Sequence, residues 1–199
     1  MTSPLKLGMI GLSPGNGHPY SWGAIFNGYD VNEMSSCPFP VIPQYLSQQS
    51  FPQDAIADAT VSHIWTQDRD ISNHVAKSAY IEAVVDDLED MIEHVDGILL
   101  ARDDSETHYE FAKPFLEAGL PIYIDKPLAT TVAEAEKIYS LQQFEGQIFT
   151  CSALRYAPDF QWQENERDDL GKKIVLIERL LEAHPERTYY RGLLAQCLR

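Results

Sequence analysis

Gly97-Ile98-Leu99-Leu100-Ala101-Arg102-Asp103-Asp104, followed at Leu120 by Leu120-Pro121-Ile122-Tyr123-Ile124-Asp125-Lys126-Pro127, decides the fold of this chain. Ile98 to Leu100 is a short apolar run that ends in charge, as a buried parallel strand does at its carboxyl end. Ser105 and Thr107 suit a helix start, and Glu106 suits its first turn. Tyr109, Ala112, Phe115 and Leu116 then recur at helical spacing, and Gly119 with Pro121 ends the helix. Ile122-Tyr123-Ile124 is the next strand. Strand, helix and strand imply a parallel pair, and ligands of open α/β sheets bind outside the carboxyl ends of the strands. Asp103, Asp104, Asp125 and Lys126 are therefore expected at one rim.

Upstream, Leu5 to Leu12 reads as the first buried strand, and Ser13-Pro14-Gly15-Asn16-Gly17-His18-Pro19 as a glycine-rich loop before a helix over Tyr20 to Tyr29. Strand, glycine-rich turn and helix give a phosphate-binding loop its meaning. Gly11, Gly15, Asn16 and Gly17 are its candidate residues. The spacing is not G-x-G-x-x-G, and an ordinary Gly/Pro turn is the other reading. Asp30 to Ala59 reads as a long ordered loop with one short helix near Gln44 to Gln49. Its Cys37-to-Pro43 run is incompatible with a helix interior. This loop could lie over a ligand or simply cover the surface.

Val61 to Asp68 is the second strand. Asp68 stands where a dinucleotide fold places the acid that meets the adenosine ribose. Arg69 beside it leaves NAD and NADP both open. A helix over Ile71 to Tyr80, a short strand at Ala83 to Val85 and an acidic helix over Asp86 to Val95 precede the opening stretch. Beyond it, Thr131 and Glu134 form a capping-box pattern ahead of a helix, and Ile148 to Ala153 is a last strand. The alternation predicts a doubly wound parallel α/β sheet of about six strands over residues 1–155, with 156–199 as a crossover and an incomplete further segment.

The chain has 199 residues and a net charge of −15, which argues against nucleic acid and anionic membrane surfaces as partners. No apolar run reaches the ~20 residues of a membrane span. Cys37, Cys151 and Cys197 show neither metal spacing nor a disulfide framework, and a cytoplasmic location is expected. The charge is uneven. Residues 1–171 hold 27 acids and 9 bases, whereas 172–199 hold 3 acids and 6 bases. A strand is expected over Lys173 to Glu178 and an amphipathic helix over Arg187 to Arg199. The basic tail is either an ordinary helix or a segment of different origin from the body.

Residues 5–178 resemble the amino-terminal part of the glucose–fructose oxidoreductase, inositol dehydrogenase and MocA (Gfo/Idh/MocA) family. The resemblance rests on Ala101 to Asp104, His108, Ala118-Gly119, Ile124 to Ala129, Ala133-Glu134-Ala135 and Arg155-Tyr156-Ala157-Pro158. Asp125 replaces the Glu of the family's E-K-P and is one methylene shorter. Asp103-Asp104 replaces its Thr-Pro. The resemblance implies a Rossmann-like fold, NAD or NADP as cofactor, and hydride transfer to or from a sugar, polyol or nucleotide-sugar.

By that resemblance Lys126 lies near the nicotinamide and the reacting hydroxyl. A desolvated lysine has the chemistry to polarise or deprotonate a carbinol oxygen; a surface ion pair with Asp125 is the alternative role. Gly11, Gly15, Asn16, Gly17, Asp68, Asp103, Asp104, His108, Asp125 and Lys126 make up the cofactor-binding set. Arg155 and Tyr156 are the substrate-binding pair, and His108 is also suited to ordering loops. The family's substrate domain has only a beginning here, near Gly171 to Glu178. Three readings follow: an oxidoreductase with a small-molecule substrate and a possible homo-oligomeric state, a non-catalytic nucleotide-binding remnant, or a protein-interaction module. Apolar surface left after residue 158 would favour self-association.

Overall fold

The computed structural model describes residues 3–156. The expected strand and helices beyond Gly171 lie outside the described residues. The chain divides into two units between Thr150 and Cys151, and the first is a six-stranded parallel sheet with helices on both faces. Its strands are β1 (Leu5–Ile10), β2 (Ala59–Trp65), β3 (Ala83–Val84), β4 (Gly97–Leu100), β5 (Ile122–Ile124) and β6 (Ile148–Phe149). Their spatial order is β3-β2-β1-β4-β5-β6. The order reverses between β1 and β4, the switch point outside whose carboxyl ends open α/β sheets bind ligands.

Strand alternation builds the core on both faces. Met9 and Leu99 point into one apolar cluster with Tyr20, Ala24, Met34, Leu46 and Val75. Ile10, Ile98 and Leu100 point into the other with Phe115, Leu116 and Ile138. The helices that supply these contacts are α1 (His18–Asn27), α2 (Val31–Ser35), α3 (Val41–Leu46), α4 (Arg69–Ser78), α5 (His108–Glu117) and α6 (Val132–Tyr139). Thr131 and Glu134 form the expected capping box on α6. Gly119, at φ 82°, ends α5 as its sequence implies. No helix among the described residues is long and apolar enough to cross a membrane.

Three expectations are corrected. Asp86 to Val95 forms a 3-10 turn over Leu88–Met91 and not a full helix. Asp86, Asp87, Glu89, Asp90 and Glu93 stand three and four apart, and that like-charge spacing opposes helix propagation. The stretch after Asp30 holds two short helices. Asp30 caps α2 by accepting from the amides of Asn32 and Glu33. Pro43 sits in the first turn of α3, where its missing N–H removes no helical hydrogen bond. Finally, β1, β2 and β6 are shorter than read. Gly11 still donates to the Trp65 carbonyl, but at Leu12 a side chain, Gln67, takes over from the ladder.

Candidate functional site

Four loops meet at the carboxyl rim: those after β1, β2, β4 and β5. The loop after β1 is held from three directions. Gln67 accepts from the Leu12 amide at 3.0 Å and donates to its carbonyl at 2.6 Å. Ser13 donates its hydroxyl proton to Asp103 at 2.5 Å and accepts from the Asp103 amide at 3.2 Å. Asn16 accepts from the His18 amide at 2.7 Å and donates to Asp125 at 3.3 Å.

The loop after β4 is organised by Arg102, which is only 7 % exposed. Its guanidinium grips Asp104 with two parallel hydrogen bonds of 2.9 and 2.5 Å. It also donates to Gln67 at 3.1 Å and to the Leu12 carbonyl at 3.3 Å, and lies 4.7 Å from the Phe111 ring centre. A buried guanidinium needs this many acceptors and a flat apolar neighbour to offset its lost hydration. Burial works to raise the Asp104 carboxyl pKa, but the hydrogen bonds and charge of Arg102 outweigh it and hold the carboxyl below its ordinary value. Arg102 and Gln67 were not among the sequence candidates. A charged residue directly after an all-apolar strand was the available signal for Arg102.

The loop after β5 carries Asp125 and Lys126. Asp125 is 1 % exposed. One of its oxygens accepts from the Lys126 amide at 2.8 Å. The other lies 2.5 Å from Nδ1 of His18. The Asp125 side chain is thus paired with that of His18, a contact that sequence spacing does not show because 107 residues separate the two. The His18 ring stacks on Trp22 at 4.9 Å. Lys126 is half-buried.

The remaining candidates fall in distinct places. Gly15 has φ 81°, open space where a side chain would begin, and an exposed position on the loop. Gly11 and Gly17 are buried against protein: a Cβ would meet Pro19 at 2.3 Å in the first case and Ile42 at 2.5 Å in the second. Asp68 is exposed and caps α4, its Oδ1 accepting from the amides of Asp70 and Ile71. His108 is fully buried, with Nδ1 3.0 Å from the Leu128 carbonyl and Nε2 2.9 Å from the Arg102 carbonyl. It ties the loops after β4 and β5 together. Arg155 and Tyr156 are exposed and belong to the second unit.

The chain is similar to known proteins in sequence pattern and fold. Residues 44–152 match the GFO_IDH_MocA model, described as an oxidoreductase family with an NAD-binding Rossmann fold. No curated protein matches the chain. Similar solved structures include myo-inositol 2-dehydrogenase from Lactobacillus plantarum, at 15 % identity over 84 % of this chain and 42 % of that one, with a TM-score of 0.57. A probable dehydrogenase from Thermotoga maritima aligns at 17 % identity over 78 % and 38 %, with a TM-score of 0.51. At these identities the likeness establishes the fold. The chain spans less than half the length of these two proteins. The cofactor class read from the sequence, NAD or NADP, is that of the matched domain.

Proposed function

Because this chain belongs to the Gfo/Idh/MocA oxidoreductase family, we propose that it serves hydride transfer between NAD(P) and a carbinol carbon of a sugar or polyol. The observation that carries this reading is the family match over residues 44–152, which includes Asp68, Asp103, Asp104, His108, Asp125 and Lys126.

The residues at the rim fit a dinucleotide. Exposed Gly15 leaves space for a pyrophosphate over the loop after β1, while the first amides of α1 are engaged within the protein, that of His18 by Asn16 and that of Tyr20 by the Gly17 carbonyl. The second carboxylate oxygen of Asp68 suits the ribose hydroxyls. When bound, the nicotinamide ring supplies the hydride acceptor or donor. The chain's own part is to orient and to manage the proton. Lys126 acts at the carbinol oxygen, giving or taking its proton, and Asp125 holds the Lys126 backbone in place. Buried His108 and Arg102 keep the surrounding loops in register. Arg155 and Tyr156 are assigned to the substrate on the strength of the family resemblance. A cyclic polyol, the kind of compound the Lactobacillus plantarum enzyme acts on, is the first substrate to try.

The test is a fluorescence titration of the purified chain with NADH and NADPH, alongside Asp68→Asn. Saturable binding that the substitution weakens supports the assignment. A folded chain that binds neither cofactor overturns it.

A further inference from the structure

We propose that His18 is a second proton-carrying group of this site, held by Asp125 and acting beside Lys126. The inference rests on the hydride-transfer reading above. The geometry is that of a buried carboxylate orienting an imidazole. Asp125 Oδ2 lies 2.5 Å from His18 Nδ1, and Asn16 steadies the same oxygen from 3.3 Å. The Asp125 side chain is 2 % exposed, whereas that of His18 is 33 % exposed. Asp125 accepts, so Nδ1 carries the hydrogen, and the basic lone pair falls to Nε2 on the far side of the ring. Stacking on Trp22, which in turn meets Tyr123 at 5.3 Å, fixes the ring plane.

A histidine placed only for packing has no need of a buried carboxylate on one nitrogen. Here the carboxylate is shared. Its Oδ1 holds the Lys126 backbone amide and its Oδ2 holds the His18 ring, so the backbone that carries Lys126 and the imidazole are organised around one group. Other charged groups on the rim beside this loop are Asp103, tied to it through Ser13, and Arg102, which donates to the Leu12 carbonyl and holds Asp104. α1 carries no acid in its first turn.

In the oxidative direction the alcohol C–H bond breaks and the hydride leaves with its electron pair to oxidised NAD(P). The O–H bond breaks, its proton goes to Lys126, and Lys126 passes a proton on to Nε2 of His18. The C=O bond forms, and the imidazolium is balanced by Asp125. Reduction returns the same proton.

The test uses the whole chain carrying 15N- and 13C-labelled histidine, with the His18 signals among its six histidines assigned by their loss in His18→Gln. Gln retains a donor for Asp125, so the variant should stay folded. NADH binding is followed by fluorescence in the same samples. The expected results are an Nδ1–H tautomer that Asp125→Asn abolishes, and a shift of the His18 Nε2 and Cε1–Hε1 signals on saturation with NADH. The His94 signals, near the amino end of the sheet, should stay in place. An Nε2–H tautomer, or His18 signals that ignore bound NADH, would overturn the role of His18 and leave the cofactor domain standing. Absence of NADH binding would instead remove the hydride-transfer reading, and this inference with it.

Discussion

The Gln67 side chain pairs with the backbone of Leu12 as a strand neighbour would, accepting from its N–H at 3.0 Å and donating to its C=O at 2.6 Å. The β1–β2 ladder is thereby extended past its last strand residue by a side chain, and the loop after β1 leaves the sheet at a set point. Gln67→Ala removes both bonds and one acceptor of buried Arg102. At about 1 kcal/mol for each of the three hydrogen bonds, the loss should be about 3 kcal/mol. Urea unfolding measures it. An unchanged midpoint would mean that water replaces the amide without cost.

The Arg102–Asp104 pair makes stability depend on pH. The Asp104 carboxyl is depressed in the folded state, so its contribution is complete above the unfolded carboxyl pKa of about 3.9. It is lost as pH falls through the lower folded value. Urea midpoints taken from neutral to acidic pH should fall less steeply in Asp104→Asn than in the parent. Parallel curves would count against the pair as a source of acid sensitivity.

Asp68 has two jobs that one substitution confuses. Asp68→Ala should lose about 1 kcal/mol by uncapping α4. Asp68→Asn keeps a capping oxygen and removes the charge. It should therefore keep stability near the parent while weakening NADH binding more than NADPH binding, because a carboxylate repels the 2′-phosphate. Thermal unfolding and fluorescence titration separate the effects. Equal weakening of both cofactors would place the ribose elsewhere.

Lys126→Met removes the proposed proton donor and keeps the stem of the side chain. Where turnover with NAD(P) and a polyol is measured, the rate should fall by about 10²-fold or more. NADH affinity should change far less, since the loss is of transition-state stabilisation. Steady-state rates beside fluorescence titrations make the comparison, and an undiminished rate would take Lys126 out of the chemistry.

Much of this protein is decided locally. Apolar runs ending in charge at Leu100 and Ile124, the glycine at 119 and the Thr131–Glu134 box specify strands, a helix end and a helix start from contacts within a few residues. That alternation implies the parallel sheet, and the strand ends imply which rim holds Asp103, Asp104, Asp125 and Lys126. Local pattern alone misread Asp86 to Val95, where apolar spacing suggested a helix and like-charge repulsion limited it to one turn. Other features depend on residues far apart in the chain. Gln67 reaches Leu12 across 55 positions, Arg102 reaches Leu12 across 90, and His18 reaches Asp125 across 107. Side-chain hydrogen bonds act over about 3 Å in space and carry no periodicity along the chain. The sequence by itself therefore determined the sheet and its rim, whereas tertiary packing alone decided that Asp125 would hold a histidine as well as the lysine beside it.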